Sequence, residues 1–283
     1  MTQQDLRFNK KRSPGTVISD SFLFLKSHYN PLSKLILTYV FPFMVLYAAA
    51  SVFLQKKIET SIDLTDQEQL IQNIVPVYGN LFLLSLFGLF VQALYIGTFY
   101  TYVEACIRKG SRDFKISEIS HLLFPNTLLA LGISLVVSLI VFSGLFLCII
   151  PGIYFANSLS LSLFIVILEK KGIGNAITRS FQLAGVKWWD TFMLNLAGLL
   201  LIILVTLLFS VPSLIMGFSS SPISLKPGNV SEYPMWYWIL SGVSSVVANL
   251  FYIVIYTFYV FQYFNILETI KPAGENPGDS AGI

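Results

Sequence analysis

The amino-acid sequence predicts an all-α polytopic membrane protein. The 283 residues are 55% hydrophobic and only 12% charged, whereas a soluble domain carries about 25% charged residues. The apolar residues gather into uncharged runs of about seventeen residues or more, long enough to cross the hydrocarbon core of a bilayer. A short amphipathic pattern recurs ahead of these runs. We therefore predict six transmembrane helices in three hairpins, each preceded by a cytoplasmic interfacial amphipathic helix, with spans at about 35–54, 80–103, 126–150, 152–168, 191–216 and 236–264.

The three predicted interfacial helices share one pattern of apolar residues. In the first, at about 15–29, these residues are four, three and four positions apart, which places them on one side of a helix: Ile18, Phe22, Leu25 and Tyr29. The second, at about 173–188, repeats the spacing with Ile177, Phe181, Ala184 and Trp188. The third, at about 113–123, has a shorter stripe of Ile116, Ile119 and Leu123. Each helix leads directly into a hairpin.

The three hairpins differ in their outer connections. Spans three and four are separated by Pro151 and Gly152, a pair typical of tight turns. The other two hairpins have outer loops at 55–79 and 217–235, and neither loop is long enough to form a domain. We predict one membrane domain over residues 1–268, followed by a flexible cytoplasmic tail at 269–283.

The distribution of positive charge predicts the orientation. Of the 18 Lys and Arg residues, only Lys56, Lys57 and Lys226 fall in the predicted outer loops. The positive-inside rule therefore places both termini in the cytoplasm. The N-terminal arm lacks the pattern of a cleavable signal peptide. The net charge of +3 is explained by this asymmetry and requires no nucleic-acid partner.

The predicted spans carry no charged residue and no His. Such residues usually mark proton relays and ion paths, so their absence argues against a proton-driven pump. The sequence also has no recognisable nucleophile with its base, metal-spaced cluster or phosphate-binding loop. We predict a protein that is not an enzyme, with no catalytic residues, cofactor or metal. The amides of Asn157, Asn195 and Asn249 either form hydrogen bonds between helices or line a polar pocket.

Charged and aromatic residues surround the second interfacial helix. Glu169 closes the fourth span, and it would form an ion pair with Arg179 if this helix folds back under the bundle. The predicted lipid-interface residues are Lys170, Lys171, Arg179, Lys187, Trp188 and Trp189. Two interpretations stay open: the helix contacts anionic head groups of the cytoplasmic leaflet, or it is a packing element without specific lipid contact.

Residues 151–192 resemble a bacterial family of membrane domains. It occurs fused to some glycerophosphodiester phosphodiesterases and as stand-alone YciC-type inner-membrane proteins. The residues that carry the resemblance are Pro151-Gly152-Ile153-Tyr154, Glu169, Gly172, Ala176, Arg179-Ser180 and Trp188-Trp189. The chain departs from the family at Asn157-Ser158, near which relatives often carry a basic residue. The phosphodiesterase barrel is missing from this sequence, so the resemblance implies a bacterial inner-membrane location but not that activity.

These observations predict a non-enzymatic, multi-pass inner-membrane protein that acts as an accessory, interaction or lipid-contacting factor in the envelope. Its expected partners are membrane lipids with anionic head groups and, as a second candidate, another membrane protein. The alternative function is a transporter or channel for a neutral or lipid-like molecule, which would use the amides of the fourth span and its neighbours.

Overall fold

The computed structural model describes residues 8–61, 67–109, 116–219 and 234–271. In these ranges it contains ten α-helices and no strand. The helices are α1 (Pro14–Ser27), α2 (Tyr29–Tyr39), α3 (Phe41–Ser61), α4 (Gln67–Lys109), α5 (Ile116–Leu147), α6 (Ile149–Leu159), α7 (Ser162–Glu169), α8 (Ile173–Val186), α9 (Trp188–Ser219) and α10 (Met235–Ile270).

The described residues include five helices, or joined helix pairs, long and apolar enough to span a membrane, and six if α2 and α3 count as one broken span. Bulky apolar side chains are exposed along these helices, as in Leu139, Phe142, Leu204 and Ile239. Such exposure is costly in water but not in lipid. The fold is therefore that of an all-helical, multi-pass membrane protein.

The chain divides into two compact units. Unit 1 comprises residues 1–40, 92–199 and 252–283, and unit 2 comprises 41–91 and 200–251. Unit 1 thus holds α1, α2, α5 to α8, and parts of α4, α9 and α10. Its core is rich in aromatic side chains that are fully buried, among them Tyr95, Tyr100, Phe164, Phe261 and Tyr263. The charged residues of predicted functional interest all belong to this unit.

Unit 2 consists of α3, the first part of α4, the last part of α9 and the first part of α10. Within it, α3 packs closely on α4, because a Cβ atom added to Gly88 would lie 3.0 Å from the ring of Tyr47. The predicted outer loops are shorter than expected: α3 extends to Ser61 and α4 begins at Gln67. Residues 62–66 and 220–233 of these loops lie outside the described residues.

Helices α1 and α8 begin and end close to the boundaries predicted for the first two interfacial helices. Helix α1 begins where Ser13 caps its N-terminus and Pro14 occupies the first turn, a position at which the missing N–H costs nothing. One residue separates each helix from the next, His28 before α2 and Lys187 before α9.

The most deeply buried side of these two helices lies next to the predicted apolar stripes. Most buried residues lie one position earlier than the predicted apolar stripes and fall at equivalent places in the two helices: Val17, Ser21 and Phe24 in α1, and Ala176, Ser180 and Leu183 in α8. Ala184, which belongs to the predicted stripe, is buried as well. Small side chains allow close approach of helices in a membrane. The close packing on this side leaves the bulkier Phe22 and Tyr29 exposed.

The third predicted interfacial helix, at 113–123, is not a separate helix. Its described part is the beginning of α5, which runs without interruption from Ile116 to Leu147 and contains Pro125. The buried positions continue across the proline at helical spacing: Ile119, Leu123, Asn126, Ala130 and Ile133. A proline removes one backbone hydrogen bond, and the continuous packing of this face holds the helix together despite that loss. Residues 113–115 lie outside the described residues.

The turn between the third and fourth predicted spans lies at Cys148, and the prediction of a turn at Pro151 and Gly152 is wrong. Cys148 is extended (φ −171°, ψ 151°), and both predicted turn residues belong to the start of α6. Pro151 is tolerated there because the first turn of a helix has no partners for its N–H groups. Gly152 permits the close return of the chain, because an added Cβ would lie 2.9 Å from Cα of Leu145.

The predicted fourth span, 152–168, is broken into two helices. Helix α6 ends at Leu159 and α7 begins at Ser162. The serines at the break compete for backbone carbonyls: Ser160 Oγ donates to Asn157 O (2.8 Å) and Ser162 Oγ donates to Leu159 O (2.6 Å). Side-chain hydrogen bonds of this kind disturb a helix in its interior. The alternating serines therefore mark a break within the apolar segment.

Candidate functional site

Charged side chains of unit 1 form a set of ion pairs, here called the charged end. It joins the last turns of α4, α7 and α10 to the first turns of α5 and α9 and to α1 and α8. Its ion pairs are Arg12–Asp20, Arg108–Glu104, Lys109–Glu118, Lys170–Glu104, Arg179–Glu169, Lys187–Asp190 and Lys271–Glu268. Two of these carboxylates, Glu104 and Glu169, are nearly inaccessible to solvent.

Glu104 is shared by two cations. Its Oε1 lies 2.9 Å from Nε of Arg108, one turn further along α4, and 2.9 Å from Nζ of Lys170. Its other carboxylate oxygen is 3.5 Å from Nδ2 of Asn126, which also donates to Thr101 Oγ1 at 2.8 Å. A buried carboxylate requires such partners, since an unpaired buried charge is strongly destabilising. Glu104 therefore ties α4 to α5 and to the connection after α7.

Glu169 is held differently. Its Oε1 accepts a hydrogen bond of 2.8 Å from the hydroxyl of Tyr263 on α10. Arg179 Nε lies 3.6 Å from the same oxygen, and Lys171 Nζ lies 3.7 Å from Oε2. The structure thus brings together Glu169 and Arg179, the two residues of the ion pair expected from the sequence. It adds Tyr263 as the closest partner of the carboxylate.

The connection between α7 and α8 positions three of these side chains. Lys170 is the C-cap of α7 with φ 50° and ψ 29°, a left-handed conformation that is uncommon for residues other than glycine. Gly172 follows with φ 88°. This compact turn directs Lys170 to Glu104 while the flanking Glu169 and Lys171 stay together. A strained backbone is retained where the surroundings specify it, and here the ion pairs do so.

Arg12 secures the N-terminal segment to the charged end. Its side chain is fully buried, with Nε 2.7 Å from Asp20 Oδ2 and its guanidinium over the ring of Phe261 at 4.9 Å. Its backbone N–H donates to Asn265 Oδ1 at 2.7 Å. No local pattern predicts this role, because Arg12 lies in a basic arm that resembles a solvated segment.

The remaining predicted interface residues surround the start of α9. Lys187 Nζ lies 3.5 Å from Asp190 Oδ2 and 3.4 Å from Asn265 Oδ1. The Trp188 ring stacks on Phe192 at 5.4 Å between centroids and on Tyr154 at 6.0 Å. Trp189 is 68% exposed. The two tryptophans therefore have different environments: Trp188 packs within unit 1, whereas Trp189 faces outward.

Two of the three predicted pocket amides meet. Asn195 Nδ2 donates to Asn157 Oδ1 at 2.7 Å, Asn157 Nδ2 donates to the carbonyl of Trp188 at 3.2 Å, and the Tyr259 hydroxyl donates to Asn195 Oδ1 at 2.8 Å. Asn249 does not take part in these hydrogen bonds, because its Nδ2 donates to Ser245 O of its own helix at 2.9 Å. The amides of Asn157 and Asn195 thus bond α6, α9 and α10 to each other.

Truncation of Asn157 tests this network. We expect Asn157→Ala to lower the free energy of unfolding by about 1–2 kcal/mol, the size of hydrogen bonds between membrane helices. In an Asn157→Ala/Asn195→Ala double variant, the loss should be smaller than the sum of the two single losses, since both remove one shared bond. Thermal denaturation in detergent measures these changes. Asn249→Ala is the matched control and should cost less; strictly additive losses at 157 and 195 would contradict the prediction.

The charged end combines partly exposed cations with the buried carboxylates of Glu104 and Glu169. Among the described residues, no group of three or more His, Cys, Asp or Glu side chains could hold a metal ion. No family model, curated protein or solved structure matches the chain. The geometry of the charged end is therefore the basis for its function: Glu104 and Glu169 are buried carboxylates that hold partly exposed cations in place.

Sequence reasoning missed the central contacts of the charged end. The pairing of Glu104 with Arg108 could be expected from their spacing along α4, but Lys170 lies far from both in sequence. Tyr263 falls within the predicted sixth span, and Asn265 lies just beyond its end. No local pattern predicts these contacts, because they depend on how α4, α7 and α10 pack together.

Proposed function

We propose that this chain is a non-enzymatic, multi-pass protein of the bacterial inner membrane that binds anionic phospholipid through the charged end of unit 1 and so acts as an accessory or interaction factor in the envelope. In this orientation, the charged end and both termini face the cytoplasm. The resemblance to YciC-type membrane proteins remains a prediction that agrees with this location.

The observation that carries the proposal is the way α1 and α8 bury their side chains. Each helix packs a buried serine, Ser21 or Ser180, against unit 1, while bulky side chains on and next to the two helices face outward: Phe22 and Tyr29 by α1, and Val186 and Trp189 by α8. An interfacial helix needs such an apolar outer surface with basic residues beside it. Lys171 and Arg179 supply that positive charge near α8, with side chains 66% and 39% exposed.

Charge asymmetry supports the same orientation. The ion pairs of the charged end include many cations that belong to segments predicted to lie on the cytoplasmic side. Anionic lipids give that leaflet a negative surface potential, which attracts basic residues near the membrane. Aromatic residues such as Trp189 favour the level of the head groups.

The amide network offers no support for the alternative of transport. The donors of Asn157 and Asn195 are used within unit 1, and Asn249 bonds to its own helix. A translocation pathway would need polar groups that can turn to a substrate. The proposal therefore does not include transport.

Reconstitution in lipid nanodiscs tests the proposed function. We expect the melting temperature to be several degrees higher in phosphatidylcholine with phosphatidylglycerol than in phosphatidylcholine alone, because a ligand that binds the folded state stabilises it. The gain should shrink in high salt, which screens partly exposed charges. Phosphatidylethanolamine, which is zwitterionic, serves as the control. Equal melting temperatures in all three bilayers would refute the proposal.

A further inference from the structure

The cations beside Glu169 have unused hydrogen-bonding capacity. Their distances to the carboxylate, 3.6 Å for Arg179 and 3.7 Å for Lys171, exceed the 2.7–3.2 Å typical of N–H···O hydrogen bonds. Tyr263 instead supplies the short hydrogen bond to Glu169. Among the described residues, neither cationic side chain has another hydrogen-bond partner. Their donors are thus held near a fixed negative charge without being saturated by it.

The neighbouring pair around Glu104 shows the contrast. Arg108 and Lys170 each approach Glu104 to 2.9 Å, which is hydrogen-bonding distance for a charged pair. These two cations are therefore committed to a protein partner. Lys171 directly follows Lys170 at the left-handed turn. The ammonium group of Lys170 is therefore bonded to a carboxylate, whereas that of the next residue, Lys171, is not within hydrogen-bonding distance of one.

We propose, building on the proposed function, that Lys171 and Arg179 together bind the phosphate group of a membrane phospholipid. Glu169 and Tyr263 form the base of this site and keep the two cations in place. The guanidinium of Arg179 offers a planar set of donors suited to phosphate oxygens, and the ammonium of Lys171 adds a second charge.

The balance of charge favours an anionic occupant. Lys171 and Arg179 carry two positive charges against one on Glu169, and Arg108 and Lys170 likewise exceed the single charge of Glu104. The four cations and two carboxylates thus leave a surplus of positive charge. An anionic phosphate would reduce this surplus and satisfy the donors of Lys171 and Arg179.

The surroundings favour a lipid as the source of the phosphate. Arg179 lies on α8, whose C-terminal Val186 is exposed and which is followed by the exposed ring of Trp189. These apolar groups suit contact with acyl chains and head groups. Soluble phosphate offers the same charge but gains nothing from these contacts.

The decisive variant is Lys171→Gln/Arg179→Gln, measured in the full chain in nanodiscs. We expect it to lose most of the rise in melting temperature that phosphatidylglycerol gives the wild type. The matched control is Lys56→Gln/Lys57→Gln, which removes the same charge from two exposed residues outside the charged end and should keep that rise. If both double variants lose it equally, or if Lys171→Gln/Arg179→Gln keeps it, the site is overturned. If the wild type itself showed no rise in melting temperature with phosphatidylglycerol, the proposed function would be refuted instead.

Two measurements on the wild type complete the test. Millimolar inorganic phosphate added to phosphatidylcholine nanodiscs should leave the melting temperature unchanged. A rise equal to that from phosphatidylglycerol would assign the site to free phosphate and overturn its assignment to a phospholipid. A photoactivatable phosphatidylglycerol should cross-link within 168–190. Adducts confined to other segments would overturn the site even if the double variant did not fold.

Discussion

Gly97→Ala is expected to lower the free energy of unfolding by about 3 kcal/mol, at the upper end of the range for overpacked sites. A Cβ atom added to Gly97 on α4 would lie 2.8 Å from both Cα and N of Thr127 on α5. Backbone atoms cannot turn away as a flexible side chain can, so the two helices would have to separate. The melting temperature measured in detergent should fall by roughly 6–12 °C.

The same substitution elsewhere on α4 provides the control. Nothing lies within 4 Å of a Cβ added to Gly79, and alanine has a higher helix propensity than glycine. Gly79→Ala should therefore leave the melting temperature unchanged or raise it slightly. Equal effects of the two substitutions would show that close packing of α4 on α5 does not limit stability.

Glu104→Gln should cost about 3 kcal/mol, the lower end of the range for breaking a buried ion pair. The substitution keeps the size of the side chain but removes the charge that holds Arg108 and Lys170 at 2.9 Å. The cations are partly exposed and can turn to water, which limits the loss. Thermal denaturation of the purified protein measures the effect.

Glu118→Gln tests whether the loss of stability expected for Glu104→Gln depends on the burial of the carboxylate or only on the removal of a negative charge. Glu118 pairs with Lys109, and the two side chains are 46% and 41% exposed. Exposed pairs contribute about 1 kcal/mol or less. The control should therefore unfold within a few degrees of the wild type, and a loss as large as that of Glu104→Gln would contradict the assignment of Glu104 as a buried anchor.

Much of the secondary structure could be predicted from hydropathy and spacing. Helices α1 and α8 begin within a residue of their predicted starts, because apolar periodicity is a local signal. The break at Ser160 was not predicted. The serines there lie within the predicted fourth span, although the bonds they make to backbone carbonyls are also local.

The candidate site was predictable only in part. The predicted cations Lys170, Lys171 and Arg179 do lie beside a buried carboxylate, since they flank Glu169 in sequence or sit on the next helix. The contacts with Glu104 and Tyr263 could not be expected, because the partners come from α4 and α10. Asn249 shares only its residue type with Asn157 and Asn195, and its side chain bonds to Ser245 of its own helix rather than to either of them.

The sequence by itself determined the class of this protein: long uncharged apolar runs require a membrane, and the asymmetric distribution of Lys and Arg predicts which ends share a side. The tertiary structure alone decided which side of α1 and α8 is buried and which cations remain unsaturated. The physical reason is that composition and periodicity act within a segment, whereas the burial of Ser21 and Ser180 or the distance from Arg179 to Glu169 depends on the helices packed around them.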